Sequence, residues 1–142
     1  MEETSGKRLP DWHRYVRDGE AYLGTALQGA AKRPGVFTPE ILLGLTAMAI
    51  EKLIMGLLMR HGQLAENHTM ADLAAALEHL LGPLPALVGE LLFLDSFQDL
   101  CPLTPFERRE PSADDLARIL ATGCQVQALV TKTLAGCAGA AA

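Results

Sequence analysis

The side chains of this chain that could carry chemistry fall in three places. His68, Asp72 and His79 lie within a narrow arc of one helical segment or just before it, opposite its leucines. Arg108 and Arg109 stand together in "CPLTPFERREP", a stretch with three prolines that reads as a loop. Arginine forks and imidazoles suit phosphate oxygens. These five residues could therefore form a polar cleft for a nucleotide phosphate. The plainer alternative is a solvated helix face, with the two arginines paired on the surface to Glu107 or Glu110. The third place is Glu51 and Lys52, side by side in the otherwise apolar run from Ile41 to Met59.

Neighbours on a helix point about 100° apart, so Glu51 and Lys52 do not face each other. A buried charge with no partner is strongly destabilising. Each is expected either to reach another helix or to escape along its stem to the rim of the fold. Glu90 interrupts the apolar arc of a later helix and is the expected mate of Lys52.

Other chemistries leave weaker traces. The four histidines are His13, His61, His68 and His79, and none lies three residues after a Glu, as a di-iron bundle requires. No C-x-x-C pair points to zinc, so neither a metal nor another cofactor is expected. No nucleophile elbow or glycine-rich phosphate loop is present. Triads whose members meet only in space stay open. Cys101, Cys124 and Cys137 are odd in number and widely spaced, which is no disulfide framework. Cys101 and Cys124 are expected to pack as small hydrophobes in a reducing, cytoplasmic setting.

The elements that would position these residues read as helices. The 142 residues suffice for one domain with a real core. A formal net charge of −5 argues against broad nucleic-acid binding. Residues 1–10 read as a flexible polar segment without an apolar targeting core. Glu51 and Lys52 interrupt the one run long enough to cross a membrane, so no span is expected.

A first helix is expected from about Asp11 to Lys32, stopped by "KRPG". A second, capped by Thr38 with Pro39 at its first position, runs to about Arg60 and ends at Gly62. Thr69 and Asp72 resemble a capping box for a third. "GPLP" divides that from a fourth, about Pro85 to Leu100, and Ser112 caps the last. The domain is taken as 11–136, with 137–142 a disordered Ala/Gly tail.

Five amphipathic helices with short connections imply an all-α, antiparallel up-down bundle of four to five helices. The second helix has no polar stripe, so it is buried all round, either at the centre of the bundle or at a subunit interface. The interface is favoured, giving a homodimer through helix 39–60.

The stretch "AIEKLIMGLLMRHGQLAENHTMADLAAAL" resembles the second and third helices of the HEPN domain. Ala49, Glu51, Lys52, Leu53 and Leu57 match that family's A-x-E-K-x-x-K-x-x-L helix. Gly62, His68, Leu73 and Leu77 follow in order, and Arg109 and Pro111 stand in its R-Y-P loop. The resemblance spans roughly residues 10 to 135.

Glu110 replaces the tyrosine of that loop, and the second lysine of the helix motif is missing. The R-x4-6-H motif of the ribonuclease members is absent near the last helix, since no histidine follows His79. What the resemblance implies is a non-catalytic, dimeric HEPN-like module. It would bind a nucleotide and act with a minimal nucleotidyltransferase in a toxin–antitoxin-type system. The alternatives are a ribonuclease toxin built on Arg60, His61 and His68, or a purely structural or regulatory helical dimer.

Overall fold

A computed structural model describes residues 11–65, 67–98 and 110–141, the side chains of residues 98 and 137–141 excepted. Five helices and no strand occur among the described residues: α1 (Trp12–Lys32), α2 (Pro39–Arg60), α3 (Met70–Leu81), α4 (Pro85–Gln98) and α5 (Ala113–Ala141).

The helix ends follow from local chemistry. Thr38 Oγ1 accepts the Ile41 N–H at 3.2 Å and Pro39 opens α2 without wasting a donor. At the other end the His61 imidazole donates to the Leu57 carbonyl at 3.0 Å. Gly62 then turns the chain with φ +74°, a conformation open to glycine. Thr69 caps α3: its hydroxyl accepts the Asp72 N–H and donates to the Asp72 carboxylate at 2.7 Å. At α5 Ser112 and Asp115 form the reciprocal box, the Ser112 hydroxyl accepting the Asp115 N–H and the Asp115 carboxylate accepting the Ser112 N–H, at 3.0 Å each. The α5 backbone stays helical through Ala141, past the boundary at 136 taken from the sequence.

Helix α2 occupies the centre. It packs most extensively against α1, then α5 and α3. Ile50, Leu53, Ile54, Leu57 and Leu58 form one stripe and are completely buried, and buried Ala49, Met55 and Gly56 widen the covered arc to well over half of the circumference. Ile41, Gly44 and Met48 lie exposed on the remaining face. By length and composition α2 could cross a membrane, with mean hydropathy 1.9 over its most apolar 18-residue window. Two-thirds of that window is buried in the bundle.

The α1–α2 pair is antiparallel, because rising positions on α1 meet falling positions on α2. Val16 lies against Gly56, and Gly19 lies against Ala49 and Leu53. At Gly56 the helices approach so closely that a Cβ would sit 2.6 Å from Val16 Cγ2 and 3.1 Å from the Trp12 carbonyl oxygen. Helices α3 and α4 also run antiparallel: the first amides of α3 meet Asp95 late in α4, while Glu78 late in α3 meets Leu84 just before α4. Helix α5 closes on α2 at Gly123, whose missing side chain leaves room for Leu23 and Thr46.

Cys124 departs from its expected place. It is exposed on α5, because Ile119, Thr122, Gly123, Val126 and Val130 form the inward face and residue 124 turns away from it. Cys101 lies outside the described residues.

Candidate functional site

The residues singled out by type converge only in part, and where they do a groove opens between α2 and the start of α3. Gly44, Ala47, Met48 and Glu51 give one wall from α2. His68, Thr69 and Met70 give the second, and Asp95 reaches in from α4. The groove is open and has a volume of about 480 Å³.

Glu51 and His68 meet across it. His68 Nδ1 lies 2.5 Å from Glu51 Oε2, with the imidazole 53% exposed and the carboxylate 32%. At that exposure a pair is a weak staple between α2 and the α2–α3 connection, screened by solvent. Its chemical consequence is orientation. With Nδ1 engaged by a carboxylate, the second ring nitrogen is left to face other groups.

The other polar groups of the groove are already committed. The Thr69 hydroxyl serves Asp72. Asp95 spends its two oxygens on the amides of Met70 and Ala71, at 3.1 Å each, a cap for α3 supplied by a different helix. That cap also sets a negative charge at the positive end of α3. No Lys or Arg lines the groove among the described residues, so its walls are acidic.

The sequence arc His68, Asp72, His79 does not close into one site. Asp72 belongs to the Thr69 cap. His79 is exposed near the far end of α3, ten residues beyond Thr69 and thus about 15 Å along the axis. Arg108 and Arg109 lie outside the described residues. The alternative trio of Arg60, His61 and His68 is also spread out. His68 sits at Glu51, nine residues before Arg60 and about 13 Å from it along α2. Arg60 instead lies over the Trp12 ring, 5.8 Å from its centroid.

The expected pairing of Lys52 with Glu90 is not what the fold makes. Lys52 turns toward α1 and rests its ammonium 4.9 Å from the Tyr15 ring centroid, a cation–π contact reached along its apolar stem. Glu90 is on α4, which packs chiefly against α3 and α5, and it is taken by Arg118. Arg118 Nε and Nη2 donate to the two Glu90 oxygens at 2.7 and 3.1 Å, while the guanidinium lies 3.7 Å from the Phe93 centroid. These hydrogen bonds, and secondarily the Arg118 charge, hold the Glu90 carboxyl below its ordinary range against the opposing effect of burial. The same contact raises Arg118. None of Glu51, Lys52 and Glu90 is fully buried; each keeps partial contact with water.

Two residues that matter here carry faint sequence signals. Asp95 is a polar break in the apolar "LLFLDSF", the same kind of signal that marks Glu90. Arg118 stands 28 residues from Glu90, and nothing local announces it. No protein-family model, no curated protein and no solved structure matches this chain.

Proposed function

We propose that this chain is a non-catalytic, HEPN-like helical binding module that acts as a homodimer and engages a protein partner, a minimal nucleotidyltransferase being the partner the resemblance implies. One observation carries the reading. Glu51 of the A-x-E-K helix and His68 before the next leucine-rich helix, two of the polar landmarks of the resemblance, touch each other in the fold. A contact between them gives a physical reason for the two to occur together at this spacing. The antiparallel pairs α1/α2 and α3/α4 agree with an up-down bundle.

The groove argues for binding over chemistry. Its imidazole is engaged by a carboxylate and its hydroxyl by a capping bond. A nucleotide phosphate would meet Glu51 and Asp95 there, so a nucleotide site depends on what Arg108 and Arg109 add. The test is overexpression of the wild type and of His68→Ala, with co-purification of a nucleotidyltransferase as the second readout. The reading expects the two chains to affect growth alike. Growth arrest by the wild type that His68→Ala abolishes would instead establish a ribonuclease-type toxin. For the nucleotide, calorimetry with millimolar ATP before and after Arg108→Ala and Arg109→Ala decides; no heat in either case removes it.

A further inference from the structure

We propose that a second copy of this chain completes the groove. In this arrangement α2 of two molecules cross antiparallel at Gly44, and the exposed loop 33–37 of each copy seats against Glu51 and Asp95 of the other. The inference rests on the homodimer reading and adds to it the face, the register and the residues that the second copy contributes.

Gly44 is the first observation. The other glycine of α2, Gly56, is filled by Val16 and the Trp12 carbonyl, so the fold of one chain requires it. A Cβ at Gly44 would meet nothing within 4 Å among the described residues. Glycine inside a helix weakens it, and no contact among the described residues compensates here. A bare backbone position on an outward face is what close approach of another helix uses.

The surroundings of Gly44 are apolar and open. Ile41 and Met48 lie three residues before it and four after, on the same face of α2, and are 46% and 41% exposed. With Val36, 57% exposed, they are three of the six large apolar side chains exposed among the described residues. In an antiparallel crossing at Gly44, Ile41 of each copy meets the turn that carries Met48 of the other.

Register then selects the occupant of the groove. Glu51 stands seven residues after Gly44, about 10 Å along the axis, and α2 begins at Pro39, five residues before Gly44, with Phe37 in the loop ahead of it. Two-fold symmetry brings the start of one α2, and the loop ahead of it, to Glu51 of the other copy. That loop carries Arg33, just past the C-terminus of α1, and the apolar Val36, both exposed. The groove offers Glu51 and Asp95 together with Ala47, Met48 and Met70. Arg33 faces the two acids and apolar faces apolar, while Glu40, exposed one turn before Gly44 on the same face, comes to the turn that carries Met48 of the other copy.

Three variants test this by light scattering across a dilution series, with helicity followed by circular dichroism. Met48→Lys, at an exposed position, is expected to leave helicity intact and raise the dimer dissociation constant about 30-fold or more. Arg33→Glu is expected to raise it about 5-fold, with a larger effect at low salt. Gly44→Cys, made in a chain whose Cys101, Cys124 and Cys137 are Ser, is expected to oxidise to a disulfide-linked dimer, since the crossing sets its two copies within bridging range. A wild-type chain that is monomeric at micromolar concentration overturns both this inference and the dimer reading. A wild-type dimer that Met48→Lys and Arg33→Glu leave intact, and that Gly44→Cys does not link, overturns this inference alone.

Discussion

Two hairpins in this bundle are held together by different physics. Between α1 and α2 the joint is made by leaving atoms out. Gly19 and Gly56 let the helices touch backbone to side chain, and this is the most extensive helix–helix contact of the fold among the described residues. Between α3 and α4 the joint is made by carboxylates. Asp95 caps the start of α3 from the end of α4, and Glu78 accepts the Leu84 N–H at 2.7 Å just ahead of α4. The first joint tolerates no added volume, and the second tolerates no lost acceptor. The candidate groove lies where the two kinds of joint meet, between α2 and the capped end of α3.

The sharpest way to break the contrast is to add one methyl to the first joint. A Cβ at Gly19 would lie 2.7 Å from Leu53 Cγ and 3.0 Å from the Ala49 carbonyl oxygen, and that carbonyl belongs to the α2 backbone. Gly19→Ala is expected to cost about 2–3 kcal/mol, overpacking outweighing the helix propensity gained. A urea denaturation midpoint no lower than wild type would refute the close-approach account. Gly29 makes a useful comparison. A Cβ there would lie 2.4–2.6 Å from the Phe37 ring in the connection to α2, so Gly29→Ala probes a close approach to a side chain where Gly19→Ala probes one to backbone.

Removing the acceptor of the second joint comes next. Asp95→Ala strips two amides of α3 of their partner and takes a negative charge from its N-terminus. The expected loss is about 1–2 kcal/mol, in line with other N-cap truncations. Hydrogen exchange should speed up first at Met70, Ala71 and Asp72. Unchanged protection there would mean that the cap contributes little.

The two joints also differ in how far they were legible before the fold was known. Both ends of α2 follow from local rules, because Thr38–Pro39 and Gly62 act on their immediate neighbours. The α3 cap follows in the same way. The central place of α2 shows in its lack of a polar stripe, and α1, α3 and α5 of the same chain cover most of it while Ile41, Gly44 and Met48 stay exposed. The partners of its charges did not follow. Glu51, Lys52 and Glu90 stand out by type, but their mates His68, Tyr15 and Arg118 depend on which helices become neighbours. Helical spacing groups His68 with Asp72 and His79. It carries no term for an acid on α2 or α4, and it cannot weigh a capping bond against a ligand.

Thr46 tests the first joint from inside. Its hydroxyl is fully buried beside Gly123 and Leu23, and it has no hydrogen-bond partner among the described residues. An unsatisfied buried hydroxyl is destabilising, and valine has nearly the same shape. Thr46→Val is expected to stabilise by about 1 kcal/mol. A loss of stability would mean that the hydroxyl is satisfied, for instance by a trapped water.

Smaller still is Gly24→Ala, the matched control for Gly19 on the same helix. Among the described residues nothing lies within 4 Å of a Cβ built there. With packing removed from the comparison only propensity is left, and the expected gain is about 0.5–1 kcal/mol. Opposite signs at Gly19 and Gly24 would separate close approach from propensity within one helix.

The smallest effect belongs to the ion pair that joins α4 to α5, which sharpens the contrast between a carboxylate on backbone amides and a carboxylate on a solvated guanidinium. Glu90 is held by Arg118 below its ordinary value of 4.5. A depressed carboxyl stabilises the folded state above its unfolded pKa, and that contribution disappears as pH falls through the folded value. Glu90→Gln should therefore melt slightly below wild type at neutral pH. The gap should narrow only on acidification below about pH 4.5 and shrink with added salt at any pH above that. Asp95 offers a smaller salt handle, because salt screens its attraction to the helix dipole but leaves its hydrogen bonds to two backbone amides in place. A Glu90→Gln deficit that ignores both salt and acid would place the α4–α5 joint with the packed Phe93 ring under Arg118, making its carboxylate incidental.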